Sequence, residues 1–296
     1  GAQSGASDSV HGDTTLHQAA HRGDVISLQR ELDRDVDPNI TNRFGVTPLA
    51  LACRGGHVAA VQLLLESGAD PNQASPTGET PLMVAARTGV VDNVVSLLEY
   101  GADPLARESW LGQTALMWAA AERHASVVAP LIAGGAEVDS RTGAGFTPLL
   151  FAARLGHIDT VDALIDAGAN IHQTLPDGTS PLVVAVINAH YDLAVHLLER
   201  GADPNASEQG WTALHQLVWT RRPNTNKNRH NPSPLQSGRV TDIALVKALV
   251  LHGADVNARQ TKEPRDGYRN LLNRMDATPF LLAAKVVDLE LMRLLL

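Results

Sequence analysis

The chain has 296 residues, 44% of them hydrophobic and only 4% aromatic, with 24 Lys and Arg against 32 Asp and Glu for a net charge of −8. That acidic balance disfavours non-specific binding to nucleic acid or to an anionic membrane surface. The sequence holds no apolar run of 18 residues that would span a bilayer. Cys53 is the single cysteine, so no intrachain disulfide can form, and within an apolar helical stretch it reads as core packing rather than as a reactive thiol.

Taken in order, residues 1–11 (GAQSGASDSVH) are small and polar and are expected to form a flexible leader. A threonine or serine then opens closely similar segments at Thr14, Thr47, Thr80, Thr114, Thr147, Ser180, Thr212 and Thr278, with successive starts 33, 33, 34, 33, 33, 32 and 66 residues apart. A period near 33 residues is the signature of a stacked repeat. In the clearest unit, TPLLFAARLGHIDTVDALIDAGAN from Thr147 to Asn170, Thr147 is placed to cap a helix and Pro148 to occupy its first turn, where a missing N–H costs nothing. Gly156 closes that helix, and Ile158, Val161, Leu164 and Ile165 give a second helix its apolar stripe. Gly168 supplies the left-handed cap, and a polar hairpin-like finger leads to the next unit. One such unit cannot bury its own apolar faces, whereas stacked copies can.

The ends and one repeat depart from this pattern. In the first unit the second helix is charge-rich and Asp35 stands where later copies have glycine, as expected of a polar end cap. Repeats two to six, from Gly45 to about Ala206, are regular. Thr212 to Gly253 spans 41 residues where other repeats need 21, which places an insertion at about 220–239 between two helices. Gly253 to Thr278 spans 25 residues where 11 to 13 is usual, which places a second at about 259–277. Long loops on a compact scaffold are usually functional or disordered. The last repeat is incomplete: Leu296 aligns with Leu65 of the second, so further repeats or another domain are expected beyond it.

No phosphate-binding glycine loop, HExxH metal motif, nucleophile elbow or dinucleotide fingerprint is present. His17 and His21 have the i, i+4 spacing that zinc can use, but no third ligand lies nearby in sequence, and neither metal nor cofactor is expected. Asp70, Asp103, Asp203 and Asp255 sit in GAD turns, where a carboxylate bonds its own backbone. Asn39-Ile40-Thr41 and Asn205-Ala206-Ser207 fit the glycosylation sequon.

The repeat resembles the ankyrin repeat. The likeness is carried by Gly45, Thr47-Pro48-Leu49, Gly56-His57 and Gly68-Ala69-Asp70-Pro71-Asn72, and by Thr80-Pro81-Leu82 with Gly101-Ala102-Asp103. Thr147-Pro148-Leu149 with Gly156-His157, Ser180-Pro181-Leu182 with Gly201-Ala202-Asp203, and Thr212-Ala213-Leu214-His215 with Gly253-Ala254-Asp255 continue it. It implies an all-α solenoid of about eight helix-turn-helix repeats over residues 12–296, with short β-hairpin finger loops. The histidines at the Gly-His position (His57, His124, His157, His190) and after Thr-x-x (His17, His215) are then expected to make internal hydrogen bonds. The function implied is non-catalytic: a scaffold that binds a protein partner on its concave groove and fingers.

On that reading the residue seven positions after each opening threonine lines the groove, which includes Arg54, Arg87, Arg154 and Trp219, and the residue just before it points the same way, which includes Phe146 and Trp211. With Phe44 and Trp110 at finger tips and Arg221 and Arg222 at the insertion, these ten form the expected partner-binding set. Residues 219–277 hold 11 basic and five acidic side chains, so this segment carries +6 and the remainder −14, which favours an acidic partner at the seventh repeat. Two alternatives stand beside the scaffold: a regulatory part of an enzyme whose catalytic domain lies beyond Leu296, or a binder of a small anionic ligand through the basic insertions. The insertions also resemble segments of a subgroup of bacterial, often exported, ankyrin proteins, which leans towards a site outside a bacterial cytoplasm, with the cytosol as the alternative. Oligomeric state is left open.

Overall fold

The computed structural model describes residues 12–221, 238–262 and 274–296; the leader and most of both insertions lie outside them. The described residues form sixteen α-helices and no strand. Threonine or serine hydroxyls cap the first helix of most repeats as expected, for example Thr47 to the N–H of Ala50 at 3.2 Å, Thr147 to Leu150 at 3.3 Å and Ser180 to Val183 at 3.3 Å, each followed by proline at the first turn. The first helices whose ends are described close at a left-handed residue. Gly23, Gly56, Gly89 and Gly156 take it without strain. Arg123 (φ 66°), Ala189 (φ 56°) and Val287 (φ 57°) are forced into the same conformation by the repeat geometry, as is Asp35 (φ 61°) at the position where later repeats have glycine.

The expected β-hairpin fingers are corrected by the structure. Several fingers close on one or two backbone bonds, as Asn42 N–H to Val46 O at 3.1 Å, Ser75 to Glu79 at 2.9 Å and Leu175 to Thr179 at 3.0 Å, and these are tight turns with no strand among the described residues. Their bases are tied by asparagine. Asn72 Nδ2 donates to Gly101 O at 2.8 Å while its Oδ1 accepts from Asp103 N–H at 2.7 Å. Asn39 does the same with Gly68 and Asp70, and Asn205 with Gly253 and Asp255. Both sequon asparagines are therefore committed to holding neighbouring turns together. The GAD carboxylates act as expected, Asp70, Asp103, Asp203 and Asp255 each accepting the N–H two residues on at 2.8 Å.

The chain divides into two compact units, Gly1–Gly143 with Asp162–Gly168, and Ala144–Val161 with Ala169–Leu296. In the first, α1 (Thr15–Arg22), α3 (Pro48–Gly55), α5 (Pro81–Thr88) and α7 (Ala115–Ala121) pack side by side as an inner layer, and α2 (Val25–Leu32), α4 (Val58–Glu66), α6 (Val91–Glu99) and α8 (Val128–Ala133) as an outer one. Leu49, Leu64, Leu82, Leu97, Leu116 and Leu131 are at most 1% exposed between the layers, each burial worth about 2 kcal/mol. In the second unit α9 (Pro148–Leu155), α11 (Pro181–Ile187), α13 (Ala213–Arg221) and α15 (Pro279–Lys285) form the inner layer, while α12 (Tyr191–Glu199) and α14 (Asp242–Leu251) pack together outside it and α16 (Leu289–Leu294) packs on α15. α10 (Ile158–Asp166) is divided between the units. No described helix is long and apolar enough to cross a membrane.

Candidate partner-binding surfaces

In the first unit the finger before Thr114 is built around a carboxylate that the sequence did not single out. Glu108, only 8% exposed, accepts the N–H groups of Trp110 at 2.6 Å, Leu111 at 2.8 Å and Gln113 at 2.9 Å. Burial pushes its carboxyl up, but these backbone bonds outweigh burial and hold it below the usual carboxylate range. Arg107 braces the same finger by donating to Gly112 O at 2.9 Å and Arg141 O at 2.8 Å. The product is a fixed tip on which Trp110 stands 88% exposed beside half-exposed Leu111. Phe44, on an earlier finger, is also exposed and carries Arg43 over its ring at 4.7 Å.

Arg54 and Arg87 lie at matching positions near the ends of α3 and α5, Arg54 exposed and Arg87 half-buried. Arg87 pairs with Glu79 at 3.3 Å and lies 4.8 Å over the ring of Trp118, so its guanidinium is pre-positioned. Trp118 was not foreseen. The signal was available: it sits four residues after Thr114, on the same helical face as the position seven after.

The second unit repeats the pairing of arginine with aromatic. Arg154 is exposed and stacks 5.8 Å from Phe146, whose ring also meets Phe151 at 5.2 Å. Further along, Trp211 and Trp219 line one cleft of about 660 Å³ together with Ile187, Leu282, Gln209, Gln216, Gln260, Lys262 and Arg274. Trp211 Nε1 donates to Gln216 Oε1 at 3.1 Å, and the guanidinium of Arg274, itself 4% exposed, lies 3.7 Å over Trp219. The two indoles came from different sequence positions, one before Thr212 and one seven after it, and the fold brings them to the same cleft.

Arg221 has a different setting from the one expected. It is the last residue of α13 rather than part of an inserted loop, its side chain is 10% exposed, and three carboxylates hold it: Asp288 at 2.6 Å, Glu290 at 2.5 Å and Asp242 at 3.2 Å. It fastens α13 to α14 and α16, which is a structural duty. Thr220 is also helical. The far end of the insertion is fixed too, since Asp192 accepts the N–H groups of Arg239 at 3.2 Å and Val240 at 3.4 Å. Arg222 lies outside the described residues.

His17, His57, His124, His190 and His215 make the internal bonds that the repeat implied. His57, His124 and His190 place Nε2 at 3.1, 2.8 and 3.0 Å from the carbonyls of His21, Arg87 and Arg154 in the preceding repeat. His17 Nε2 lies 3.0 Å from Val46 O while its Nδ1 faces the N–H of Thr14 at 3.3 Å; His215 does the same with Ala277 O at 3.0 Å and Thr212 N–H at 3.3 Å. Among the described residues no group of three potential ligands could hold a metal ion. Cys53 is fully buried, and burial pushes its thiol up to about 12, which leaves it chemically inert.

A family model described as ankyrin repeats in three copies matches residues 16–108 and 106–174, and one described as ankyrin repeats in many copies matches 182–225. No curated protein gives a match. Among solved structures, the human ASB11 ankyrin repeat domain is 26% identical with a TM-score of 0.67, over 82% of this chain and 99% of that one. The capped helix pairs, the asparagine-tied turns and these matches agree: the chain belongs to the ankyrin-repeat family, whose repeats are protein-interaction modules.

Proposed function

We propose that this protein is a non-catalytic scaffold that binds a protein partner, through the inner-helix face and fingers of each unit. In the first unit the contact residues are Phe44, Arg54, Arg87 and Trp110; in the second they are Phe146, Arg154, Trp211 and Trp219. The observation that carries the reading is Trp110, an indole 88% exposed on a finger that Glu108 holds rigid. An ordered, exposed tryptophan loses little conformational entropy on binding and buries a large area, which is the profile of an interface anchor. The concentration of positive charge in 219–277 supports an acidic partner. A bacterial origin belongs to the same reading and is supported only by the likeness of the two inserted segments.

The test is site-specific photo-crosslinking in extract of the source cells. A photoreactive phenylalanine at positions 54, 110, 154 and 211 is expected to label the same partner protein. One at Leu251, 83% exposed on α14, is expected not to. Equal labelling from position 251 and from the fingers would refute the assignment of the binding face.

A further inference from the structure

The cleft beside α13 has features that select its occupant more narrowly than an acidic partner in general. Its walls include Ile187, Leu282 and Trp211, and the Trp211 N–H is already bonded to Gln216 at 3.1 Å, so the ring offers apolar surface. Gln209, 3% exposed, donates its amide N–H to Trp211 O, yet its carbonyl oxygen is buried and has no donor. That oxygen has no surface open to the cleft, so it takes no part in choosing the occupant. Lys262 is held at the rim by a 2.7 Å bond to Glu208 O, and Arg274 is stacked on Trp219 at 3.7 Å, against which Asp177 is the one carboxylate among the described lining residues. A volume of about 660 Å³ holds a large side chain with flanking backbone.

Building on the scaffold reading, we propose that this cleft seats an extended acidic peptide segment of the partner. One large apolar side chain lies against Trp211, Ile187 and Leu282, and a neighbouring carboxylate meets Lys262 at the rim, close to the positive charge of Arg274. A peptide segment joins an apolar side chain and a carboxylate on one short backbone, whereas an inorganic anion or a phosphodiester backbone offers the charge without the apolar group, which is why a peptide is favoured over either.

The probe is a capped, fluorescein-labelled heptapeptide with one phenylalanine flanked by glutamates, titrated against the full chain by fluorescence anisotropy. Saturable binding is expected, weakened at least about tenfold, or about 1.4 kcal/mol, by Phe→Ala or by Glu→Gln in the peptide. Trp211→Ala and the surface change Lys262→Gln in the protein are each expected to weaken it similarly, with Lys262→Gln leaving thermal unfolding unchanged. The proposal is overturned if the neutral and acidic peptides bind alike, or if neither protein variant alters binding. It is equally overturned if indole-3-acetate or an oligothymidylate displaces the peptide at its own equally tight affinity, since either would make this a small-anion or a nucleic-acid site. Labelling from position 110 reads the first unit alone. Its persistence with no peptide binding sinks this inference and leaves the scaffold reading standing, whereas equal labelling from position 251 sinks the scaffold reading whatever the peptide does.

Discussion

At Arg221 one guanidinium meets Asp242, Asp288 and Glu290, and Asp288 is itself only 5% exposed. Burial alone would lower the arginine's proton affinity, but the three carboxylates raise it above its ordinary value, so the charge is fixed in place. Removing the cation would leave Asp288 buried without its counter-charge. Arg221→Ala is therefore expected to reduce the unfolding free energy by about 3 kcal/mol, measured by urea titration. A loss below about 0.5 kcal/mol, the level of an exposed pair, would show that the cluster is solvated. The same contact sets a limit on loop engineering: a deletion meant to leave the repeats folded has to begin after Arg221, although counting repeat lengths places the insertion from about Thr220.

At the scale of single elements, the finger carrying Trp110 shows how a turn with no strand ladder is made stiff. Three N–H groups converge on Glu108, so the tip holds its shape without cross-strand pairing. Glu108→Gln removes the charge and turns one acceptor into a donor that faces other donors. It is expected to destabilise the protein by about 2 kcal/mol and to speed amide exchange at Leu111 and Gln113 while protection in α3 and α5 stays close to the parent's. Unchanged exchange in the finger would mean that Arg107 alone braces it.

Across the whole molecule, His17 and His215 join repeats by one and the same device, far apart in the chain. In each, Nδ1 accepts a backbone N–H and Nε2 donates to a carbonyl of the following repeat, an arrangement that only the neutral ring can make. Burial lowers the pKa of His17, His190 and His215, outweighing the carbonyl bonds that raise it and, at His17 and His215, the nearby Asp13 and Asp255. The unfolded chain titrates at about 6.5, above these folded values, so the unfolded state takes up protons first as pH falls. Stability should thus be full above about pH 6.5 and decline below it until the folded rings protonate. Urea midpoints at pH 7.5 and 5.5 check this, and a His17→Gln, His215→Gln double variant should show a smaller drop. Equal midpoints for the parent protein would contradict neutral, buried rings.

The sequence alone determined the repeat, its capping threonines, its left-handed closing positions and its internal histidines, because each of these is a local requirement repeated every 33 residues or so. Asp35 could be placed at a glycine position from spacing, and its φ of 61° follows. Trp110, Trp211 and Trp219 were legible as candidates because large aromatics are rare in this chain and fall at variable positions. What only the tertiary structure decided are relations between residues whose separation no period predicts. Arg221 and Asp288, 67 positions apart, meet because α13 and α16 are brought together by the helix of the eighth repeat. Gln209, Trp219, Lys262 and Arg274 share one cleft because the seventh repeat folds its ends back to one place. Periodicity encodes what every repeat has in common, whereas recognition rests on the side chains that differ, and their neighbours are fixed by packing.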